Sequence, residues 1–200
     1  MTRKRAREQR GLALPLWVAI IGGVAVIAAT SGYEISTHME NNDSFCASCH
    51  SEPESTYYDR SIAAEPADLA SFHTTTDPST RCIDCHSGQG VPGRIHALTI
   101  GAGDLLAWKT GTATQPAPLT HPIGDGNCLK CHQDVPRTQN FNRHFHAFLA
   151  QWQAIDPNAA TCVDCHSAHS TDGDVSLLYL NEARTTQVCQ DCHSTAGRRG

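Results

Sequence analysis

The sequence has few of the residues from which an ordinary protein core is built. Aromatic residues make up only 6% of the 200 positions, whereas there are 15 glycines and 10 prolines. No segment alternates apolar and polar residues in the manner of a half-buried strand. Conventional sheet and helix-bundle cores are therefore not indicated. The composition predicts a mostly α-helical chain of low helix content with extensive loops.

The sequence also lacks long blocks of charge of one sign, apart from a basic cluster near its N-terminus. The formal net charge is −5 at pH 7. A nucleic-acid-binding domain carries a basic patch or stripe, and none is present beyond that cluster. We therefore expect no nucleic-acid partner.

No cysteine is left over once five copies of Cys-x-x-Cys-His have been counted. The copies are Cys46, Cys49 and His50; Cys82, Cys85 and His86; Cys128, Cys131 and His132; Cys162, Cys165 and His166; and Cys189, Cys192 and His193. In this pattern two thiols add across the vinyl groups of a haem, and the adjacent histidine binds the iron as its proximal ligand. Disulfides or structural zinc would also use paired cysteines. Neither explains a histidine after every second cysteine, so we predict five covalently bound haem c groups.

Methionine is nearly absent, with only Met1 and Met39. An electron-transfer haem takes a second axial ligand, the distal ligand, which is commonly histidine or methionine. The chain has 12 histidines, which indicates bis-histidine ligation. The best distal candidates are His73, His121, His144, His146 and His169, followed by His38 and His96. His169 is only three residues after His166, too close to bind the same iron from the other side, so it should serve a neighbouring haem.

The N-terminal region predicts a membrane anchor. Residues 12–30 contain no charge and are long enough to cross the hydrocarbon core as one helix. The preceding basic residues are Arg3, Lys4, Arg5, Arg7 and Arg10. They favour a cytoplasmic N-terminus, with the rest of the chain on the extracytoplasmic side of the cell (inner) membrane. A cleaved secretory signal is the alternative, but the span is longer than an ordinary signal core.

These segments divide the chain into a cytoplasmic basic segment (1–11), a transmembrane helix (12–30) and a haem domain (31–200). Within that domain we predict helices over Val91–Lys109, Phe141–Ile155 and Leu177–Cys192, and a loop over Thr110–Asp125. In the first of these helices, Ile95, Leu98, Ala102, Leu105 and Leu106 share one apolar face. The first cysteines of successive motifs are 36, 46, 34 and 27 residues apart, which is too uneven for a solenoid.

The chain resembles the NapC/NirT family of membrane-anchored multihaem quinol dehydrogenases over about residues 10–170. The likeness lies in the single anchor, the segment Asn41–Cys46 soon after it, Ser71–His73 ahead of Arg81–His86, and Thr161–His166 preceded by His144 or His146. The resemblance implies that membrane quinol donates electrons near the first haem, whereas in an alternative given below the donor is a membrane redox subunit. It also implies a periplasmic redox protein as acceptor. No catalytic residue is certain, but by similarity Asp104 or Lys109 would accept protons from quinol.

Two features depart from that family. The family commonly has four haems, whereas this chain has a fifth motif. The family often has methionine two residues after the first motif, and here His50 is followed by Ser51 and Glu52. The sixth ligand of the first iron therefore stays open between Met39, His38, a carboxylate and none.

Two other functions remain as alternatives. A pentahaem chain with one anchor also resembles the pentahaem subunit of alternative complex III, which would relay electrons from an iron–sulfur partner without meeting quinone. A reductase of a small oxyanion such as nitrite would need an open iron site. The surplus of histidines, and the absence of a lysine in place of any motif histidine, favour electron transfer.

Overall fold

The computed structural model of the protein describes residues 2–49 and 51–197. The predicted proximal ligand His50 lies outside these residues. The described chain forms two compact units, residues 1–42 and 43–200, and each is described by itself below.

The first unit is a single helix, α1 (Thr2–Glu40). The predicted span of residues 12–30 lies inside it. Its stretch Leu16–Glu40 has a mean hydropathy of 1.8 and no buried residue in its most apolar part, and it is long and apolar enough to cross a membrane. No charged side chain occurs between Arg10 and Glu34.

The second unit consists of short helices joined by irregular segments. The helices are α2 (Asp43–Cys49), α3 (Glu54–Ser61), α4 (Leu69–Thr76), α5 (Cys82–His86), α6 (Gly90–Thr110), α7 (Asp125–Cys128), α8 (His144–Gln153), α9 (Cys162–Cys165) and α10 (Glu182–Gly197). Three 3₁₀ turns lie at Val135–Arg137, Phe141–Arg143 and Val175–Leu177. Within the described residues there is no strand, only isolated bridges that Leu180 makes with His166 and Asp174. The prediction of a mostly α-helical fold with extensive loops is confirmed.

Few side chains are buried in the described part of this unit. They are the apolar Trp152, Ala160 and Tyr179 and the polar Asp68, Ser71 and Ser167. The accessible surface of the whole chain is 14543 Å², compared with about 9,200 Å² for a compact monomer of this mass. Exposed residues of α1 such as Leu16 and Ile27 contribute to this excess.

The three helix predictions had different outcomes. The helix over Val91–Lys109 is confirmed as α6, which is capped at its C-terminus by Gly111, where φ is +71°. The segment Phe141–Ile155 forms a 3₁₀ turn followed by α8. The prediction of a continuous helix over Leu177–Cys192 is wrong in its first part. Leu178 and Tyr179 have φ values of 58° and 61°, which a right-handed helix does not accommodate, so α10 begins only at Glu182.

Candidate haem-binding site

The cysteine motifs lie on five short helical segments that follow one another in space. Helix α2 contacts α5, α5 contacts α7, α7 contacts α9, and α9 contacts α10. These helices carry cysteines of the first, second, third, fourth and fifth motif, in that order. The motifs therefore form a row in which each is next to its neighbour in sequence.

Side chains tie neighbouring motifs together. The Cys46 side chain lies next to that of Cys82, and the Cys128 side chain next to that of Cys162. Between the second and third motifs, the Lys130 Nζ donates to the carbonyl of Asp84 at 3.0 Å and to the Ser87 hydroxyl at 2.8 Å. The Asn181 N–H donates to the carbonyl of Cys165 at 3.0 Å, which ties the start of α10 to the fourth motif.

An aspartate three residues before the first motif caps the helix of the second motif, and one three residues before the third motif caps the helix of the fourth. The Asp43 Oδ1 accepts from the Cys82 N–H at 3.0 Å, and the Asp125 Oδ1 accepts from the Cys162 N–H at 2.7 Å. Each capped helix also carries its own aspartate. Asp84 accepts from the Arg81 N–H at 2.8 Å, and Asp164 accepts from the Thr161 N–H at 2.7 Å. Carboxylates at a helix N-terminus satisfy unpaired N–H groups and the positive end of the helix dipole.

The second motif is thus capped from the first in the same way as the fourth is capped from the third. Sequence reasoning missed this duplication, although a signal was present. An aspartate stands three residues before the first cysteine of motifs one and three, and motifs two and four share Cys-x-Asp-Cys-His, which motif five also has. The spacing within each pair is 36 and 34 residues. A search for pairs of motifs, rather than for a single period, would have found it.

Four of the five motif histidines have a described side chain and a histidine from elsewhere in the fold facing them. The pairs, with their ring-centroid distances and interplanar angles, are His86 and His169 (6.1 Å, 18°), His132 and His73 (6.0 Å, 74°), His166 and His146 (6.4 Å, 6°), and His193 and His144 (6.3 Å, 70°). His169 faces the second motif and not the fourth, to which it is adjacent in sequence.

These separations fit one metal ion between two rings. A metal–imidazole nitrogen bond is about 2.0 Å long and the ring centre lies roughly 1.1 Å further, so two axial imidazoles have centroids about 6.2 Å apart. Rings in direct stacking contact would be closer, as Tyr57 and His169 are at 4.2 Å. Because both planes contain the axis through the metal, any interplanar angle is compatible with axial binding. The four pairs therefore fit iron bound by two histidines.

Hydrogen bonds fix the orientation of two of these rings. The Nδ1 of His73 is 2.8 Å from the carbonyl oxygen of Leu69, and the Nδ1 of His166 is 2.9 Å from that of Leu178. A carbonyl oxygen only accepts, so each Nδ1 carries the proton. The Nε2 of each ring is left as the unprotonated nitrogen that a metal requires.

The protein environment also keeps several of these histidines neutral. Burial, together with the neighbouring His169 and Lys130, lowers the pKa of His86 to about 4, although part of this residue is exposed to solvent. Burial likewise lowers the pKa values of His146 and His169. Because neutral imidazole is the metal-binding form, these shifts favour coordination over protonation.

A buried polar cluster holds His169 in position. Its ring stacks on Tyr57, with planes 11° apart, and its carbonyl oxygen accepts from the Arg60 Nη1 at 2.9 Å. The same guanidinium pairs at 3.3 Å with Asp68, whose side chain is 1% exposed. Asp68 also caps α4 by accepting from the Ser71 N–H at 2.8 Å. Since α4 carries His73, this cluster positions the non-motif histidines that face the second and third motifs.

The remaining candidate histidines are divided between the two units. His38 lies in α1. His96 of α6 and His121 are neighbours, with ring centroids 5.6 Å apart and planes at 87°. The loop that carries His121 is attached just after the first motif. The Ala117 N–H donates to the carbonyl of Glu52 at 2.7 Å, and the Gln115 Nε2 donates to the carbonyl of Cys49 at 3.4 Å.

Both candidate quinol-site residues lie on α6, which contacts α2 and hence the helix of the first motif. Asp104 is half-buried and Lys109 is exposed. All ten cysteines belong to the described residues and are free of disulfide bonds. In that part of the chain no cluster of three or more histidine, cysteine or acidic side chains is arranged to hold a metal ion. A haem iron needs only two protein ligands, as in the four histidine pairs.

Motifs in a row and histidines facing them at iron-binding distance define a multihaem c-type cytochrome. The model of the NapC/NirT cytochrome c family, N-terminal region, matches residues 8–120. This is more than half of the chain, and the chain belongs to that family. A second family model, the doubled CXXCH motif, matches residues 156–198.

A similar curated protein is the "Cytochrome c-type protein NapC" of Haemophilus influenzae (strain ATCC 51907 / DSM 11121 / KW20 / Rd). It is 25% identical over 165 residues, which cover 74% of this chain and 76% of the relative. No solved structure matches the chain. With its apolar helix α1, the protein is a single-pass membrane cytochrome that binds haem c covalently and takes part in electron transfer.

Proposed function

We propose that the protein is a pentahaem cytochrome that takes electrons from the membrane quinol pool and passes them to an extracytoplasmic redox protein. The observation that carries the proposal is the set of four histidine pairs, each joining a motif histidine to a non-motif histidine at about the spacing of one iron. Haem c carries one electron at a time as its iron alternates between Fe(III) and Fe(II). Two strong ligands on each iron favour electron transfer over binding of a substrate.

The ten cysteines would attach five haems, and the five motif histidines would be proximal ligands. The geometry supports His169, His73, His146 and His144 as distal ligands for the second, third, fourth and fifth haems, in that order. For the first haem, the attachment of the His121 loop to Glu52 and Cys49 favours His121 or its neighbour His96. This assignment predicts a low-spin first haem, which magnetic circular dichroism would detect.

Quinol oxidation would occur near the first motif. Each quinol releases two electrons and two protons as it becomes quinone, so the site needs a proton acceptor as well as an electron acceptor. Asp104 and Lys109 are the candidates, because both lie on α6, the helix in contact with α2. The row of motif helices from α2 to α10 supports an electron route that starts at the first motif and ends at the fifth.

The location of the domain follows from the basic segment that precedes the anchor. A cytoplasmic N-terminus over residues 1–11 and a span over residues 12–30 would leave residues 31–200 outside the cytoplasm. Haem is attached to cysteine pairs on the extracytoplasmic side of the membrane, and this orientation would put all five motifs on that side. The acceptor would then be a periplasmic redox protein.

The test is reduction of the purified, detergent-solubilised protein by a menaquinol analogue, followed in the haem absorption bands. We expect prompt reduction without another subunit, and slower reduction in Asp104→Asn or Lys109→Met with no change in reduction by dithionite. Full reduction by dithionite but none by the quinol would instead support a relay subunit of the alternative complex III type. Rapid binding of carbon monoxide to the reduced protein would support a reductase with an open iron site.

A further inference from the structure

Helix α6 presents an apolar, uncharged side to its surroundings. Five of its large apolar residues are between 48% and 73% exposed, whereas Leu98 and Ile100 are half-buried: the five are Val91, Ile95, Leu105, Leu106 and Trp108. Its only charged residues before Lys109 are Arg94 and Asp104, and both are half-buried. Apart from these two half-buried residues, α6 carries no charged side chain from Val91 to Trp108.

Most of these residues form one stripe along the helix. At 100° per residue, Val91, Ile95, Leu105 and Leu106 fall within about 100° of arc, and the stripe is about 23 Å long. The stripe coincides with the apolar face identified from the sequence, of which Leu98 is half-buried and Ala102 is exposed. A long apolar stripe on an exposed helix marks an interaction surface.

The lack of charge continues beyond the helix. Between Arg94 and Asp125 only Asp104 and Lys109 are charged, whereas 18% of the whole chain is charged. The loop after α6 includes Leu119, which is 86% exposed. This loop is attached to the backbone of Cys49 and Glu52 just after the first motif. A surface for a soluble, charged redox partner would carry complementary charges, and this one has almost none.

Chain connectivity limits how far this surface can be from a bilayer. Only Asn41 and Asn42 separate the end of α1 from the start of α2, so α2 begins within about 11 Å of the end of α1. The residues of α1 from Glu34 to Glu40 extend about 9 Å beyond its charge-free stretch, little more than a headgroup layer. Helix α6 contacts α2. Chain connectivity therefore allows the apolar stripe to reach the lipid headgroups.

We infer that α6 is a second membrane contact, an interfacial helix that lies in the headgroup layer with its apolar stripe toward the acyl chains. Trp108 and Lys109 at its end are the residue types that anchor helices at a membrane interface. The partner is a phospholipid surface, not a protein or a second copy of this chain. The inference goes beyond the proposed function, because it holds whether quinol or another subunit donates the electrons.

The first test uses the unaltered full-length holoprotein, one copy per lipid nanodisc, with a phospholipid that carries a photoreactive group in its acyl chain. After irradiation and digestion, we expect lipid adducts on peptides from α1 and α6 and none on peptides from α10. Adducts on α1 alone would overturn the inference.

The second test uses thiol labelling, because haem attachment consumes every native cysteine and an introduced one becomes the single free thiol. In nanodiscs, a charged maleimide should label Leu106→Cys about tenfold more slowly than Ala183→Cys, an exposed position on α10. Equal rates would overturn the inference, as would slow labelling without lipid adducts, since another occupant would then cover the stripe. Ile95→Cys, on the same stripe, replaces Leu106→Cys if that variant lacks the wild-type haem spectrum.

Discussion

His146 and His166 face each other with ring centroids 6.4 Å apart and planes only 6° from parallel, although 20 residues separate them in the chain. Two residues before His146 on the same helix, His144 faces His193 with planes 70° apart. Helix α8 thus presents histidines to two different motifs, the fourth and the fifth.

The ring angles predict which signals the oxidised protein gives in electron paramagnetic resonance. Near-parallel axial imidazoles give rhombic low-spin signals, whereas near-perpendicular ones give strongly anisotropic signals with a large maximal g value. His146→Met should remove a rhombic signal, and His144→Met should remove an anisotropic one. Each variant is the control for the other. If both removed the same kind of signal, the assignment of these two histidines would be wrong.

The aspartates that cap the neighbouring motif should contribute to stability. Asp125→Ala removes the acceptor for the Cys162 N–H and for the Gln153 Nε2, which donates at 2.7 Å. We expect the free energy of unfolding to fall by about 1–2 kcal/mol, measured by guanidinium titration and far-ultraviolet circular dichroism. Asp43→Ala should have a similar effect through Cys82.

The matched control for these variants is Asp134→Ala. Asp134 is 98% exposed, and its ion pair with Arg137 is formed at the surface. Its loss should change stability by less than about 0.5 kcal/mol. If Asp134→Ala lowered the free energy of unfolding as much as Asp125→Ala, the capping hydrogen bonds would not account for the effect of Asp125→Ala.

Two substitutions of Asp68 should separate its ion pair from its helix cap. Asp68→Asn keeps an acceptor for the Ser71 N–H but removes the charge that pairs with Arg60. Because Arg60 is partly exposed, we expect a loss of about 2 kcal/mol, below that of a fully buried pair. Asp68→Ala should lose about 1 kcal/mol more, because α4 then has no cap. Equal unfolding midpoints for the two variants would count against the cap.

Gly173 should tolerate no side chain. A Cβ atom there would overlap the backbone carbonyl of Tyr179 and approach the Ser167 Cβ to 2.9 Å. Gly173→Ala should therefore cost about 1–3 kcal/mol. It should also perturb the fourth haem's spectrum, since the adjacent Leu178 carbonyl holds His166. Gly103→Ala is the control, because it meets nothing within 4 Å, and it should stabilise α6 by up to about 1 kcal/mol. A thermal scan that ranks the two variants the other way would contradict this.

The sequence predicted the features that depend on residues close together in the chain. These are the Cys-x-x-Cys-His motifs, the charge-free helix and α6. The pairing of His169 with His86, or of His73 with His132, could not be predicted, because the partners are 83 and 59 residues apart. Helix α10 was predicted to begin too early, because the backbone at Leu178 and Tyr179 is left-handed, a conformation unusual for such side chains.

Because each motif helix contacts the next, the length of the row is set by the number of motifs. Helix α10 adds a fifth member to the row without altering the capping plan that the first four share. A variant truncated before α10 would keep four motifs and leave His144 without a motif histidine opposite it. Adding or removing a motif helix at that end would therefore change the number of motifs in the row, while the two capped pairs keep their architecture.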